Sequence, residues 1–413
     1  MLRIVAIVLI VIVIVAAVVV WYIFQPKGAE TIKIGLLANR TGVFAEEGIR
    51  NEKMAELAVE KINADGGIYV REYGRKLPVE LIVYDCESDA ARTVEIATKM
   101  VTEVKPTFLL TSSAPPYVLP VVNVVERQGG VIFVQCDAAP AQVYKAGMPE
   151  NVLWSWILGS SIGYAVMGYE VIFGNYKNQT NGVVGILCMD DPDGQAWNAT
   201  MVPVLKKHGY TIVHPGLYPA DLQDFSVYVT IFKENKVEAV WLIANPPQFA
   251  DFWRKSSMLG FKPKLVAGGR YLVYPSATAE MIGGELALGL ISEAQWHPDW
   301  PFPGNDWVNE AWSRIGLDYH HGAVHIVSML FFIETLIEEA GTLDVHALNE
   351  KIPDTESMSP IGKIKFDAKT HLSLQYMCFI QQVKSEGKWK FNIIWSPPDS
   401  GIPTKPTIFP LPL

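Results

Sequence analysis

Three groupings of residues in this chain have types and spacings that could support chemistry. His320, His321 and His325 stand close together, and His321 and His325 are four apart, so both fall on one helical face. Two imidazoles so placed suit a zinc ion, but no glutamate lies between them as in HExxH, and packing or a ligand contact is the better reading. Asp190-Asp191-Pro192-Asp193-Gly194 follows a strand-like run and looks like a fragment of a calcium loop. It lacks the later acidic ligand at loop spacing, so a turn in which Asp193 caps the next helix is expected instead. Cys86, Cys136, Cys188 and Cys378 lie far apart with no CxxC pair, which argues against zinc and favours buried thiols over disulfides. Neither a Ser-His-Asp arrangement nor a GxxxxGK[ST] phosphate loop is evident. The chain therefore reads as a binding protein that needs no cofactor, not an enzyme.

The bulk numbers narrow the partners. A formal net charge of −9 and a pI near 5.5 argue against nucleic acid and anionic lipid, either of which wants a basic face. Behind Arg3, residues 4–24 are an unbroken apolar run, and about twenty such residues cross a hydrocarbon core as a helix. Trp21-Tyr22 stands where an aromatic interface belt would lie. The expectation is a single-pass anchor over residues 1–27 that places the rest of the chain outside the cytoplasm. A cleaved signal peptide, whose apolar core is normally shorter, is the competing reading.

The elements that must position any site alternate in kind from residue 31 onward. Short β-rich runs such as TIKIGLLA, VELIVYD, TFLLTS and VIFVQC are each followed by an amphipathic or loop segment, the pattern of βαβ units around parallel sheets. In the first helix Met54, Leu57, Ala58, Lys61 and Ile62 share a face, and Asn63-Ala64-Asp65-Gly66-Gly67 stops it. A second series begins after residue 158, so the α/β chain is expected to build two doubly wound, Rossmann-like domains. Residues 361–367, 375–383 and 388–395 read as antiparallel strands around a Glu386-Gly387 turn, and the proline-rich end from 396 to 413 as irregular.

Several segments in order resemble the type I periplasmic binding proteins, specifically the leucine/isoleucine/valine-binding-like solute receptors of ABC importers. They are IKIGLLANRTGVFAEEGIRNEKMAELAVEKINADGGI, LPVELIVYDCESDAARTVEIATKMV, SSAPPYVLPVVNVVERQGGVIFV and GKIKFDAKTH. The resemblance implies a multi-crossover hinge joining residues 31–158 plus 288–358 to residues 159–287 plus 359–395. It also implies a solute bound in the cleft between the two domains, a monomer as the acting unit, and permease subunits of an importer as partners. A sensor ectodomain acting through a partner protein is the alternative.

The resemblance also implies site residues. The loop after the third strand, with Ser112 or Ser113, would hold a ligand carboxylate, although serines before a proline also cap helices. The next loop offers Asp137 and Ala138, and the threonine expected there is Ala139. The carboxylates that would pair with a ligand ammonium fall on Gly159 and on Gly268-Gly269-Arg270. An α-amino acid is thus a poor fit, and Arg270, whose planar fork suits oxyanions, suggests a carboxylate-bearing or otherwise anionic solute. Phe44, Trp156, Tyr271 and Trp296 are the aromatic candidates for lining the cleft. Of the sequons at Asn39, Asn178 and Asn198, the last two are expected to be exposed for glycosylation, because Asn39 would lie near the cleft.

Overall fold

The computed structural model describes residues 29–113, 115–138 and 152–412, the side chains of residues 115, 116, 137 and 138 excepted. The expected anchor over residues 1–27 lies outside them. Among the described residues no helix is long and apolar enough to cross a membrane.

The first series runs β1 (Ile32–Ala38), α1 (Ala45–Ala64), a small hairpin of β2 (Ile68–Val70) and β3 (Arg75–Leu77), β4 (Val79–Asp85), α2 (Ala90–Lys99), β5 (Phe108–Thr111), α3 (Pro115–Gln128), β6 (Ile132–Ala138) and β7 (Ser155–Ser160). The second runs α4 (Ile162–Tyr176), β8 (Val183–Cys188), α5 (Pro192–Lys207), β9 (Thr211–Val213), α6 (Ser226–Glu234), β10 (Ala239–Ile243), α7 (Pro246–Met258), β11 (Leu265–Gly269), α8 (Pro275–Ile282) and β12 (Ile291–Ala294). Helices α9 (Asn305–Ile315), α10 (His321–Ala340) and α11 (Val345–Lys351) follow. The short strands β13 (Ser357–Ser359), β14 (Gly362–Ile364) and β15 (Leu372–Gln375) come next, and then the hairpin of β16 (Cys378–Ser385) and β17 (Lys388–Trp395).

Two sheets organise these elements, in the orders β15-β7-β6-β5-β1-β4 and β17-β16-β12-β11-β10-β8-β9. Every pairing in the first is parallel; in the second only β16 breaks the rule, antiparallel to both its neighbours. Central strands such as β5 and β10 are buried at every position, which is why their sequences are continuous apolar runs without alternation. On α1 the buried face carries Met54, Ala55, Ala58, Val59 and Ile62. Its stop depends on Gly66 and Gly67 at φ 94° and 88°, a left-handed turn that side chains other than glycine resist.

Two strands lie in the sheet opposite to the one their residue ranges suggested. β12, expected with the first domain, completes the second sheet between β11 and β16, and β15, expected with the second, pairs in parallel with β7 of the first. Each satisfies a backbone edge that its neighbour would otherwise expose, and the chain crosses between lobes only after it has done so. Three crossovers therefore run side by side. Ser161 N–H donates to Gln375 O at 3.0 Å, and Ser160 Oγ donates to Gln295 Oε1 at 2.6 Å.

The proline-rich end has no regular elements but is hydrogen-bonded to the second lobe. Lys405 N–H donates to Ile393 O, Gln381 exchanges two hydrogen bonds with the Ile408 backbone, and Phe409 stacks on Tyr176 at 4.1 Å. One apolar cluster, including Leu110 of the first lobe and Val240 and Phe391 of the second, is continuous through both.

Candidate functional site

The carboxyl ends of the two parallel sheets supply the polar groups of the candidate site. In the first lobe these are Asn39 after β1, Ser112 and Ser113 after β5, and Gln135 on β6. Asn39 is nearly buried; its Nδ2 donates to Ser113 Oγ at 3.1 Å, and its Oδ1 accepts from Ser88 N–H at 3.3 Å. Asn51 of α1 and Gln135 reach the same loop, donating to Ser112 O at 3.5 Å and Ser113 O at 2.9 Å. Phe44 sits at this edge, its ring edge-on to Tyr117 at 5.6 Å and its N–H on Ser88 Oγ. Phe44, Ser112 and Ser113 are thus brought together. The side chains of Asp137 and Ala138 lie outside the described residues.

The second lobe presents Asp191 after β8, Asn245 after β10 and Arg270 after β11. Arg270 Nη1 donates to Asp191 Oδ2 at 2.8 Å and Asp193 Oδ2 at 3.1 Å, and Nη2 donates to Asn245 Oδ1 at 2.7 Å. The guanidinium, expected to await an anionic solute, is therefore already paired with two carboxylates. Asp191, not Asp193, caps α5 by accepting from Gly194 N–H at 2.7 Å. With Asp191 as the cap, Asp193 lies in the first turn of the helix and reaches the arginine.

Burial pushes the Asp193 carboxyl up to about 6, against the pull of Arg270 and with the help of the Asp191 charge. Unfolded, the group releases its proton near 4, so between these limits the folded protein binds more protons. Stability therefore falls as pH rises from about 4 to 6, by roughly 2–3 kcal/mol at 1.36 kcal/mol per unit. Asp193→Asn is expected to flatten that slope in urea-unfolding midpoints taken across the window. A slope unchanged from the wild type would place the titrating group elsewhere.

Three aromatic candidates are engaged in packing and hydrogen bonds within the protein. Trp156 is near the amino end of β7, four residues before the crossover; its Nε1 donates to Asn349 Oδ1 at 2.8 Å and its ring stacks on His371 at 3.7 Å. Tyr271 is buried, its hydroxyl donating to Ile291 O at 2.6 Å and its ring lying 4.0 Å from Phe249, because the chain turns inward after Arg270. Trp296 is buried beside the crossover with Nε1 on Asn305 Oδ1. It lines a cavity of about 10 Å³ together with Glu293, Tyr319 and His321, room for a single water.

Among the described residues no group of three or more His, Cys, Asp or Glu side chains is placed to hold a metal. His325 is buried on α10, where its Nδ1 lies 3.1 Å from His321 O, and all four cysteines are buried thiols. Asn178 is exposed in a short turn. Asn198 lies within α5, half-buried, with Oδ1 2.8 Å from His214 Nε2, so regular helix and a hydrogen bond already occupy that sequon.

Sequence reasoning missed Asn51, Gln135, Asn245 and Glu293, and read Asp191 only as part of a turn. Gln135 had left a signal, being the one polar residue within the apolar run VIFVQC. Glu293, at the carboxyl end of β12, accepts from the Tyr169 hydroxyl, and burial raises its carboxyl. A Cβ on Gly269 would stand 2.2 Å from Glu293 Oε1, so the neighbouring strand needs glycine there.

The lobes also touch beside the cleft. Arg50 of α1 lies over the Tyr274 ring at 4.3 Å and donates to Asp318 O at 2.9 Å. Asp318 Oδ2 accepts from Ser276 and Ala277 N–H at the start of α8.

A family profile described as periplasmic binding protein matches residues 31–388. A leucine-, isoleucine-, valine-, threonine- and alanine-binding protein of Pseudomonas aeruginosa is 24% identical over 351 residues, 83% of this chain and 88% of that protein. A Leu/Ile/Val-binding protein of Rhizobium johnstonii is 27% identical over 59% of this chain and 63% of its own length. Among solved structures, an ABC-transporter solute-binding protein of R. palustris in complex with 4-hydroxybenzoate superposes with a TM-score of 0.73 at 18% identity, covering 90% of this chain and 98% of that one.

Proposed function

Because this chain belongs to the periplasmic binding protein family, we propose that it works outside the cytoplasm as the receptor of an ABC-type importer. Its family consists of substrate-binding proteins, not enzymes, and the coarse function follows from that membership. In this reading the lobes close on a small solute and a permease reads the closed form. The apolar run of residues 4–24 tethers the receptor to the membrane beside its importer. The observation that carries the reading is the opposition of two parallel sheets, polar at their carboxyl ends and joined by three crossovers, the usual place for a ligand in open α/β sheets.

The solute we favour bears a carboxylate. Arg270 spends three of its five N–H donors on Asp191, Asp193 and Asn245 and keeps two, enough for a carboxylate that approaches from the cleft. The flanking aspartates make a bare dianion a poor ligand, and a monocarboxylate the better one.

Thermal-shift screening of the whole chain in detergent, against amino acids, aliphatic and aromatic carboxylates, amides and polyamines, tests this reading. A solute at a hundred times its Kd stabilises the fold by about 2.7 kcal/mol, a shift of several degrees. Turnover of a compound, or stabilisation only by polyamines, would overturn it.

A further inference from the structure

Asn51 and Gln135 approach the Ser112–Ser113 loop from different elements, yet each turns its amide nitrogen toward a backbone carbonyl, Ser112 O and Ser113 O respectively. A carbonyl oxygen only accepts, so these contacts decide which end of each side-chain amide faces the loop. Among the described residues the other ends, Asn51 Oδ1 and Gln135 Oε1, are buried acceptors with no hydrogen-bond partner, and Ser112 Oγ of the same loop is likewise unpartnered. The three residues are 2%, 0% and 4% exposed. Buried polar atoms are ordinarily satisfied, and a cluster of exceptions calls for the group that completes it. Two of the three atoms accept only, and the third also accepts.

We propose that this patch is the specificity wall of the cleft and receives a neutral hydroxyl or N–H donor of the solute. The inference rests on the receptor reading above and names the solute class: a monocarboxylic acid with a hydrogen-bond donor at the end remote from its carboxylate. A carboxylate has no hydrogen to give. Placed against Asn51 Oδ1 and Gln135 Oε1 it would meet two acceptors that can give it nothing. The acid end therefore lies toward the two remaining N–H groups of Arg270 in the second lobe, and the donor end toward the first. This polarity reverses the one that the family resemblance suggests for the serine loop. A site built to hydrogen-bond a substrate donor discriminates steeply against the analogue lacking it, because its own buried groups are then left unpaired.

Isothermal titration of the whole chain in detergent with two matched pairs tests the inference: benzoate against 4-hydroxybenzoate, and hexanoate against 6-hydroxyhexanoate. In at least one pair the hydroxylated member should bind ten times tighter or more. Gln135→Met and Asn51→Leu, which remove an acceptor at nearly constant volume, should each bring that ratio toward one. Ser112→Ala supplies a third arm should either of the others fail to give a cooperative melt. Equal affinities within both pairs, no binding by any of the four acids, or a preference that survives the substitutions overturns the proposal. A donor-free solute found in the wider screen overturns it too, while leaving the receptor reading standing. Failure of every compound in both sets removes both.

Discussion

Arg270→Ala is expected to lower the unfolding free energy by about 3 kcal/mol at pH 7.5. Removing one partner of a buried ion pair costs about 3–5 kcal/mol, because the other charge is left uncompensated. Here Arg270, Asp191 and Asp193 keep 30%, 24% and 19% of their side-chain surface exposed, so solvent screens part of the loss and the lower end applies. The sign with pH follows from Asp193. Its carboxyl titrates near 6 even beside the arginine, and without that cation it takes up a proton more readily. The deficit should therefore be larger at pH 7.5 than at pH 5, where protonation relieves the repulsion between the two aspartates. Arg270→Gly should lose less than Arg270→Ala, since Arg270 lies at φ 73°, a left-handed conformation that glycine adopts without strain. Urea unfolding at the two pH values measures all of this. A variant as stable as the wild type that has lost only solute affinity would show that the arginine serves the ligand and not the fold.

Gly48→Ala is the second large effect, about 3 kcal/mol of stability together with loss of any solute-dependent thermal shift. A Cβ at position 48 would stand 2.0 Å from Asn39 O and 2.4 Å from Asn39 C, and backbone atoms cannot rotate aside as a flexible side chain can. Overpacking in a filled interior costs about 1–3 kcal/mol and occasionally more, and a collision with the main chain belongs at the upper end. Asn39 bridges Ser113 and Ser88, and the same helix carries Arg50 and Asn51, so lifting α1 away disturbs the first-lobe wall of the cleft and the contact with Tyr274 together. Gly163→Ala is the control. It lies in α4 with Ser161 Oγ at 3.4 Å as its nearest neighbour, and should be neutral or stabilising by up to about 1 kcal/mol. Equal stability of the two variants would mean that α1 can shift at no cost and that the close approach to Asn39 does not hold the site.

Much of the architecture is legible in the residue pattern. Buried parallel strands must be apolar throughout, so TFLLTS and the run from 239 to 243 announced themselves, and the helical spacing of Met54, Ala58 and Ile62 required the face that α1 buries. The edges of the sheets were not legible. Whether Ile291–Ala294 belongs to one sheet or the other depends on which neighbour has an unpaired edge, and Leu372–Gln375 is equally apolar beside either. Local periodicity contains no term for that choice.

The site shows the same division. The residue types alone show which chemistry is on offer: serines after β5, a cationic residue where the family resemblance implies an acid, and aspartates after β8. How those charges are used depends on tertiary packing. Asp193 lies 77 residues from Arg270 in the chain and 3.1 Å from it in space, and that contact takes up one of the N–H donors that a solute anion would otherwise find. Asn51 and Gln135 became candidates for solute contact only once the carbonyls of Ser112 and Ser113 had turned their amides. The physical reason is common to both. A side chain's type sets what it can donate or accept, but which partner consumes that capacity depends on neighbours brought together by packing, and those are distant in sequence.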